Sequence, residues 1–433
     1  MYAQTLAVLG LMILAFVVAV RLKADSTLSL LSATAAGAIW SIFQDGPVEV
    51  IAQFVEGGFF LFNIAMVVFC ATFFVMVLRR NGALDAIVSD ITRVFQRRPA
   101  LLLIAMTLVV IFPGALTGSG TAAVMATGGL VGPVLVSLGI PIESVAAIVA
   151  FAGTMGMIAP PVNIPAMIIA EGVVMPYTGF TWPLLLLTIP PAIAASLIIG
   201  LPWVRKRKGL AESIISEVDR KAQGARSYLG VAVVVTLMVL TRLFPYSLPV
   251  LGLPLIFAIG AFAALAAGLN GRGLLMELLG CFNDTVRETL QVIGILIAAG
   301  ALLQIMSLTG VRGLIVVTTI TLPPMWLYVM MSTMYPLVGG VLTSFGAATV
   351  IGVPLVLSFL GRNSILVASA VSAVGGLGVL VPPTSIVGAF AACAVGYQGP
   401  YWSVLRKCII PWAIVTALSV LMVVYSKRLL FLV

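Results

Sequence analysis

The stretch FPGALTGSGTAAVMATGGLVGPVLVSLGIPIESVAAIVAFAGTMGMIAPPVNIPAMIIA, Phe112 to Ala170, decides how the rest of the chain is read. Almost every residue is apolar or small, yet Pro113, Gly114, Gly118, Gly120, Gly156, Pro160, Pro161 and Pro165 interrupt it. In water this would be a poor helix. In a bilayer, Gly and Pro interrupt helices where neighbouring protein or a polar cavity satisfies the freed backbone groups. A related stretch, YPLVGGVLTSFGAATVIGVPLVLSFLGRNSILVASAVSAVGGLGVLVPPTSIVGAFAAC, runs from Tyr335 to Cys393. Phe112-Pro113 aligns with Tyr335-Pro336, and Gly156 with Pro160-Pro161 aligns with Gly378 with Pro382-Pro383. A small hydroxyl-rich cluster recurs ahead of each Pro pair, TGSGT from Thr117 and LTSFG from Leu342.

Gly and Pro are frequent in membrane helices generally, so one Pro-Pro pair says little. Two pairs, each with a Gly four residues ahead and a hydroxyl cluster upstream, point to a functional repeat. Paired, interrupted apolar segments in two halves of a chain are the sequence mark of a secondary transporter's binding site.

Composition sets the class. Of the 433 residues, 61% are hydrophobic and 9% charged, against roughly 45–50% and 25% in soluble domains. This is an all-α, polytopic membrane protein; the apolar runs are too long and unalternating for a barrel. The net charge of +9 sits mostly in loops and concerns orientation, not nucleic acid. Cys70, Cys281, Cys393 and Cys408 show no metal or CxxC spacing and read as small core residues. Histidine is absent, which removes the commonest general base and metal ligand. The first apolar run lacks a basic lead-in and a clean cleavage site, and reads as a retained span.

Spans of about 20 apolar residues are expected near Leu6–Val20, Thr27–Phe43 and Phe59–Leu78, with an acidic loop carrying Asp45, Glu49 and Glu56. Asn81 to Arg98 is amphipathic with a basic end, suited to the membrane interface as a connecting arm; Val311 to Leu322 is its counterpart. Residues 99–138 are expected to enter and leave the membrane on one side, as a re-entrant hairpin with TGSG at its tip. Residues 143–170 form a broken helix and Trp182–Val204 a closing span. This count puts Arg21/Lys23, Arg79/Arg80, Arg93/Arg97/Arg98 and Arg205–Lys208 on one side and the acidic loops on the other, as the positive-inside rule asks.

Residues 1–204 are therefore a first repeat, 205–227 a cytoplasmic linker, and 228–433 a second repeat of inverted topology, with a hairpin at 323–360 and a broken helix at 363–393. Spans near Tyr228–Phe244, Pro249–Leu269, Thr289–Leu308 and Val404–Tyr425 complete it, and a segment Arg272–Glu288, amphipathic at its start and with Asp284, Arg287 and Glu288 at its end, precedes the third. The expected location is the cytoplasmic (inner) membrane, multi-pass, with both termini periplasmic. Lys427 and Arg428 then fall outside, which fits the charge rule poorly.

The candidate site has an unusual chemistry. No Asp, Glu or His lies in either hairpin or at either break, and Glu143 sits at a span end. Proton relays in transporters ordinarily need such groups. Na+ does not: unwound carbonyls, helix C-termini and hydroxyls hold it. Candidate Na+ ligands are Thr117, Gly118, Ser119, Gly120, Thr154, Gly156 and Asn163 in the first half, and Thr343, Ser344, Gly346, Gly378 and Thr384 in the second. Candidate substrate contacts are Thr117, Ser119, Asn163, Thr343, Thr384 and Ser385, with Pro160, Pro161, Pro382 and Pro383 breaking the helices. Half-helix N-termini aimed at the midplane favour an anion. An intramembrane enzyme would need a catalytic dyad or metal site at depth, and no His, Cys/His or Asp pair is present. A passive channel would use rings repeated between subunits, whereas an internal inverted pair suits alternating access.

Four stretches, FPGALTGSGTAAVMATGGLVGPVLVSLGI with GMIAPPVNIPAMIIA, FNDTVRETLQVIGILIAAGALLQIMSLTG and GLGVLVPPTSIVGAF, carry a resemblance that extends over most of the chain. They resemble the large membrane (M) subunit of tripartite ATP-independent periplasmic (TRAP) transporters, dicarboxylate type, within the wider ion-transporter superfamily. The resemblance implies an elevator mechanism: a rigid scaffold, connecting arms and a moving domain of two hairpins and broken helices. It implies Na+-driven uptake of an organic acid, commonly a carboxylate such as a dicarboxylate or sialic acid. It also implies two partners, a small four-helix membrane subunit and a periplasmic substrate-binding protein. Val162 and Asn163 replace the family's usual small polar pair, and LTSFGAAT lacks its common acidic residue. The alternative is a stand-alone ion-coupled carboxylate carrier of the same superfamily that needs no binding protein.

Overall fold

The computed structural model describes residues 2–204, 225–244, 251–268 and 274–433. Most of the linker 205–227, the Pro249 end of one expected span and the start of Arg272–Glu288 lie outside them. The described residues are helical throughout, with no strand among them. Ten helical stretches among them are long and apolar enough to cross a membrane, and the chain is a multi-pass membrane protein. The first helix, Tyr2–Arg21, buries only Val8, Met12 and Ala19; its remaining apolar surface suits lipid.

Local chemistry sets the helix ends. Asp25 accepts from the Leu28 N–H and starts Ser26–Asp45, and Pro99 opens Pro99–Thr117 at the first turn, where its missing N–H costs nothing. Asn363 accepts from the Ile365 and Leu366 N–H groups and starts Ser364–Gly376. Both amphipathic arms, Ala83–Phe95 and Val311–Ile320, follow a left-handed glycine, Gly82 (φ 67°) and Gly310 (φ 72°). Glycine adopts that turn without a Cβ penalty.

Two segments differ from the sequence reading. The expected acidic loop Asp45–Glu56 is mostly helix, Pro47–Phe60, which meets Phe62–Arg80 across Leu61. Pro47 starts it, Gln53 donates to Glu49 one turn back at 3.0 Å, and both glutamates stay exposed. Gly57 beside them is buried, and a Cβ there would stand 2.6 Å from the Ala301 Cα. Nor is Arg272–Glu288 a separate segment: Leu274–Leu308 is one helix of 35 residues containing the expected span. Within its charged turn, Asp284 pairs with Arg80 at 2.6 Å.

The helices pack in two groups that each draw on both halves of the chain. The flanking group centres on Leu274–Leu308, which lies against Ser26–Asp45, Pro47–Phe60 and Phe62–Arg80. Leu253–Gly268 joins it through Phe62–Arg80, with Phe257 stacked on Phe74, and carries Leu229–Leu243. The other group holds the hairpin Pro99–Thr117/Gly120–Ser137 and the pair Ile142–Ile158/Ile164–Gly172. It also holds Thr181–Val204, the second-half helices from Pro324 to Ala394, and Tyr401–Val424. Within it the halves interleave: Ile386–Ala394 packs on Gly120–Ser137 and Ile142–Ile158, and Ser364–Gly376 on Ile164–Gly172.

The arms lie between the groups. Ala83–Phe95 touches Phe62–Arg80 on one side and the first hairpin on the other. Val311–Ile320 touches Tyr2–Arg21 and Leu274–Leu308 on one side and Val353–Ser358 on the other. Arg312 of this arm donates to the Gly172 carbonyl at the end of Ile164–Gly172. Asp90 of the first arm accepts from the Tyr228 hydroxyl.

Candidate functional site

The first hairpin turns at Thr117–Ser119. Gly118 is left-handed (φ 66°), and a Cβ there would stand 2.6 Å from Ile164 Cγ1, so both backbone and space require glycine. Thr117 Oγ1 donates to the Pro113 carbonyl at 2.8 Å and accepts from the Ser119 N–H at 3.2 Å. Ser119 caps Gly120–Ser137 by accepting from the Ala122 N–H, and its hydroxyl pairs with that of Thr121 at 2.9 Å. The first tip is thus internally satisfied.

The first break runs from Ala159 to Asn163 through a cis Pro160-Pro161 bond. Asn163 is fully buried and fully used. Its amide donates to the Ile158 carbonyl at 2.8 Å and to Ser372 Oγ at 3.3 Å, while its oxygen accepts from the Ala166 N–H at 2.9 Å. Thr154 donates to Ala150 one turn back. Gly156 is a crossing point, where a Cβ would meet the Ile111 carbonyl at 2.7 Å.

The second half repeats the frame with different details. A cis Pro382-Pro383 bond opens the second break, and Gly378 is again a crossing point, its Cβ position 2.7 Å from the Gly339 Cα. Each break is tied to its own hairpin by one backbone bond: Val162 N–H to the Ala115 carbonyl and Thr384 N–H to the Gly340 carbonyl, both 3.1 Å. Thr384 adds its hydroxyl to the same carbonyl at 2.9 Å. Ser385 is left-handed (φ 33°) and makes no side-chain cap.

At the second tip Thr343 takes φ 62°, ψ 165°, a conformation belonging almost solely to glycine. Its hydroxyl is buried without a hydrogen-bond partner. Ser344, also buried, reaches only the Met157 sulfur at 3.9 Å. The turns of irregular helix at Met330–Met334 and Ala348–Gly352 flank this tip. Gly346 faces Leu30 of the flanking group, its Cβ position 3.4 Å away.

The two tips meet at a cavity of about 60 Å³. Ser119, Gly120 and Thr121 line it from the first tip, and Thr343 and Ser344 from the second. The first turns of Gly120–Ser137 and Ile386–Ala394 both border it. Of the residues singled out in sequence, Ser119, Gly120, Thr343 and Ser344 are brought together. Thr117, Gly118, Thr154, Gly156, Asn163, Gly346, Gly378, Thr384 and Ser385 surround it as turn, cap and crossing residues, outside its lining. Sequence reasoning missed Met157 and Gln291 of Leu274–Leu308. For Gln291 the only signal was a polar residue in an apolar run, and Gln304 gives the same signal. No carboxylate lines the cavity, and no cluster of three or more His, Cys, Asp or Glu side chains exists among the described residues.

The family model for the Tripartite ATP-independent periplasmic transporter, DctM component, matches residues 5–429. None of the curated proteins compared matches the chain in sequence. Among solved structures, the chain is similar to the YdaH transporter of Alcanivorax borkumensis, with a TM-score of 0.61 and 17% identity over 88% of this chain and 89% of that one. It is also similar to MtrF of Neisseria gonorrhoeae, described among a class of antimetabolite efflux pumps. There the TM-score is 0.61 and the identity 14%, over 89% of this chain and 85% of that one. At these identities the likeness is one of fold.

Proposed function

Because this chain belongs to the DctM component family of the tripartite ATP-independent periplasmic transporters, we propose that it couples Na+ to the movement of a small carboxylate across the inner membrane. The family is one of transporters, not enzymes, and the chain is its large permease, which works with a small membrane subunit and a periplasmic binding protein. Ion, substrate class and motion are our reading.

One observation carries it. Two helix N-termini and the unpartnered Thr343 hydroxyl converge on a small cavity with no carboxylate in its walls. Positive helix ends favour an anion, and hydroxyl and carbonyl oxygens suit Na+. Sites at Thr343 and Ser344 fit best among the candidate ligands, because those hydroxyls lack strong protein partners. At about 60 Å³ the cavity is far below the roughly 300–1,000 Å³ of small-molecule pockets, so substrate enters only if the tips part. An elevator motion would supply this: the hairpin group slides against the flanking group while the arms hinge at Gly82 and Gly310.

The test is uptake of labelled carboxylates into proteoliposomes, with and without an inward Na+ gradient, for the chain alone and with its partners. Na+-dependent uptake only with the partners supports the proposal. Uptake by the lone chain replaces it with a self-sufficient carrier. Uptake indifferent to Na+ removes the coupling ion.

A further inference from the structure

A second, larger cavity of about 330 Å³ borders the first break. Pro160, Pro161 and Thr181 form one wall, from the hairpin-bearing group. Thr241, Arg242 and Ile256 form the other, from the flanking group. Met157, three residues before Pro160, lines the small cavity at the hairpin tips, so one short segment borders both spaces.

Arg242 is the chemical feature of this cavity. It ends Leu229–Leu243, and its Nη1 donates to Thr181 Oγ1 at 3.1 Å. Its guanidinium lies 5.9 Å over the Trp182 ring. Among the described residues no carboxylate pairs with it. A guanidinium has five donors in a planar fork that matches a carboxylate, and the Thr181 bond uses only one nitrogen. Stacking on Trp182 and the Thr181 bond hold the group in place, which lowers the ordering cost of binding a ligand. The side chain is exposed, so solvent screens its charge and the hold would be weak and reversible.

We propose that this cavity is a staging site for a small carboxylate, taken by Arg242 beside the first break before it reaches the hairpin tips. The inference rests on the anion-carrying reading above. The competing role for Arg242 is a membrane-interface anchor on Trp182, a common use of such residues at the lipid boundary.

Trp182 supplies the test. The whole protein in nanodiscs, in potassium buffer without Na+, is titrated with potassium succinate and with potassium gluconate while tryptophan emission is followed. The expected result is a saturable change, absent in Trp182→Phe. Arg242→Gln shifts its midpoint upward by about tenfold or more, the loss of one charge-assisted hydrogen-bond pair. Arg242→Lys keeps the charge without the fork and falls between. Raised KCl moves the wild-type midpoint upward, since the group is exposed. If Arg242→Gln yields no folded protein, Arg242→Lys and Thr181→Val carry the comparison. The proposal is overturned if those variants superimpose on wild type, or if neither carboxylate gives a saturable change. Uptake with the partner subunits separates this from the transport reading. Uptake with an unaltered KM in Arg242→Gln removes the staging site and leaves transport standing. An Arg242-dependent signal without uptake of either compound leaves the site standing and removes the transport reading.

Discussion

The two hairpin tips share a frame and differ in how far their polar groups are satisfied. The first turns through a left-handed glycine, Gly118, and closes every hydroxyl on itself. The second turns through Thr343, a residue ill suited to its backbone, and leaves that hydroxyl buried and unpaired. An unpaired buried hydroxyl costs about 1–3 kcal/mol, and the backbone conformation of order 1–3 kcal/mol more. A hairpin that only had to turn would carry glycine here and avoid both costs. The first tip is thus closed by its own bonds, and the unpaired hydroxyl of the second is where the proposed function puts ligand contact.

The largest expected effects fall where the halves are alike. Gly156→Val and Gly378→Val each drive a side chain into backbone at 2.7 Å. Overpacking costs about 1–3 kcal/mol where side chains can yield, and backbone yields less. Both variants should give little monodisperse protein in fluorescence-detected gel filtration. Normal recovery of either would break the likeness of the crossings.

The breaks differ more. Asn163→Ala strands the Ile158 carbonyl and the Ala166 N–H in a fully buried site, at about 2–3 kcal/mol. Ser385, its counterpart after Pro382-Pro383, caps nothing, so Ser385→Ala should leave the melting temperature within a degree or so. Equal losses at the two positions would show that Ser385 bonds in a state other than this one.

Much of this frame was legible in the sequence, and the reasons it stopped are specific. Proline and glycine announce helix ends through backbone rules that need no neighbours: Pro99, Gly118, Pro160-Pro161 and Pro382-Pro383 all fall where helices stop or start. Charge misled where packing overrode it. Glu49 and Glu56 suggested a loop, yet they are exposed on a helix that buries Gly57 against Ala301. Asp284 suggested a segment boundary, yet it lies within one continuous helix, where it pairs with Arg80, distant in sequence. The hydroxyls were the hardest. Thr117, Thr154 and Thr343 look alike in sequence, and only the fold reveals that the first two are spent on the preceding turn.

Thr343→Gly sharpens the comparison most directly. It should relieve the backbone and remove the unpaired hydroxyl, offset by glycine's greater entropy loss, for a net gain of about 1 kcal/mol. Uptake should nevertheless fall at least about tenfold if a ligand hydrogen bond is lost. Thr117→Val should leave the uptake KM unchanged and lower the melting temperature slightly. A Thr343→Gly variant that is more stable and fully active would show the strain to be idle.

A small effect is also expected at Thr384. Its N–H and hydroxyl both bond the Gly340 carbonyl, and the corresponding tie in the first half, Val162 to Ala115, uses the N–H alone. The first half therefore shows that one backbone bond suffices to hold a break to its hairpin. Thr384→Val keeps that bond and the shape, and removes only the second donor, so it should cost about 0.5–1 kcal/mol with uptake intact. The converse change, Val162→Thr, places a hydroxyl on the residue whose N–H makes the Ala115 carbonyl tie and should add a similar stabilisation if the halves are equivalent there. Should Thr384→Val melt normally yet lose uptake, the hydroxyl leaves Gly340 during transport to meet the ligand. Ligand contact would then spread from the second tip to the second break, and the contrast would lie between whole halves of the chain.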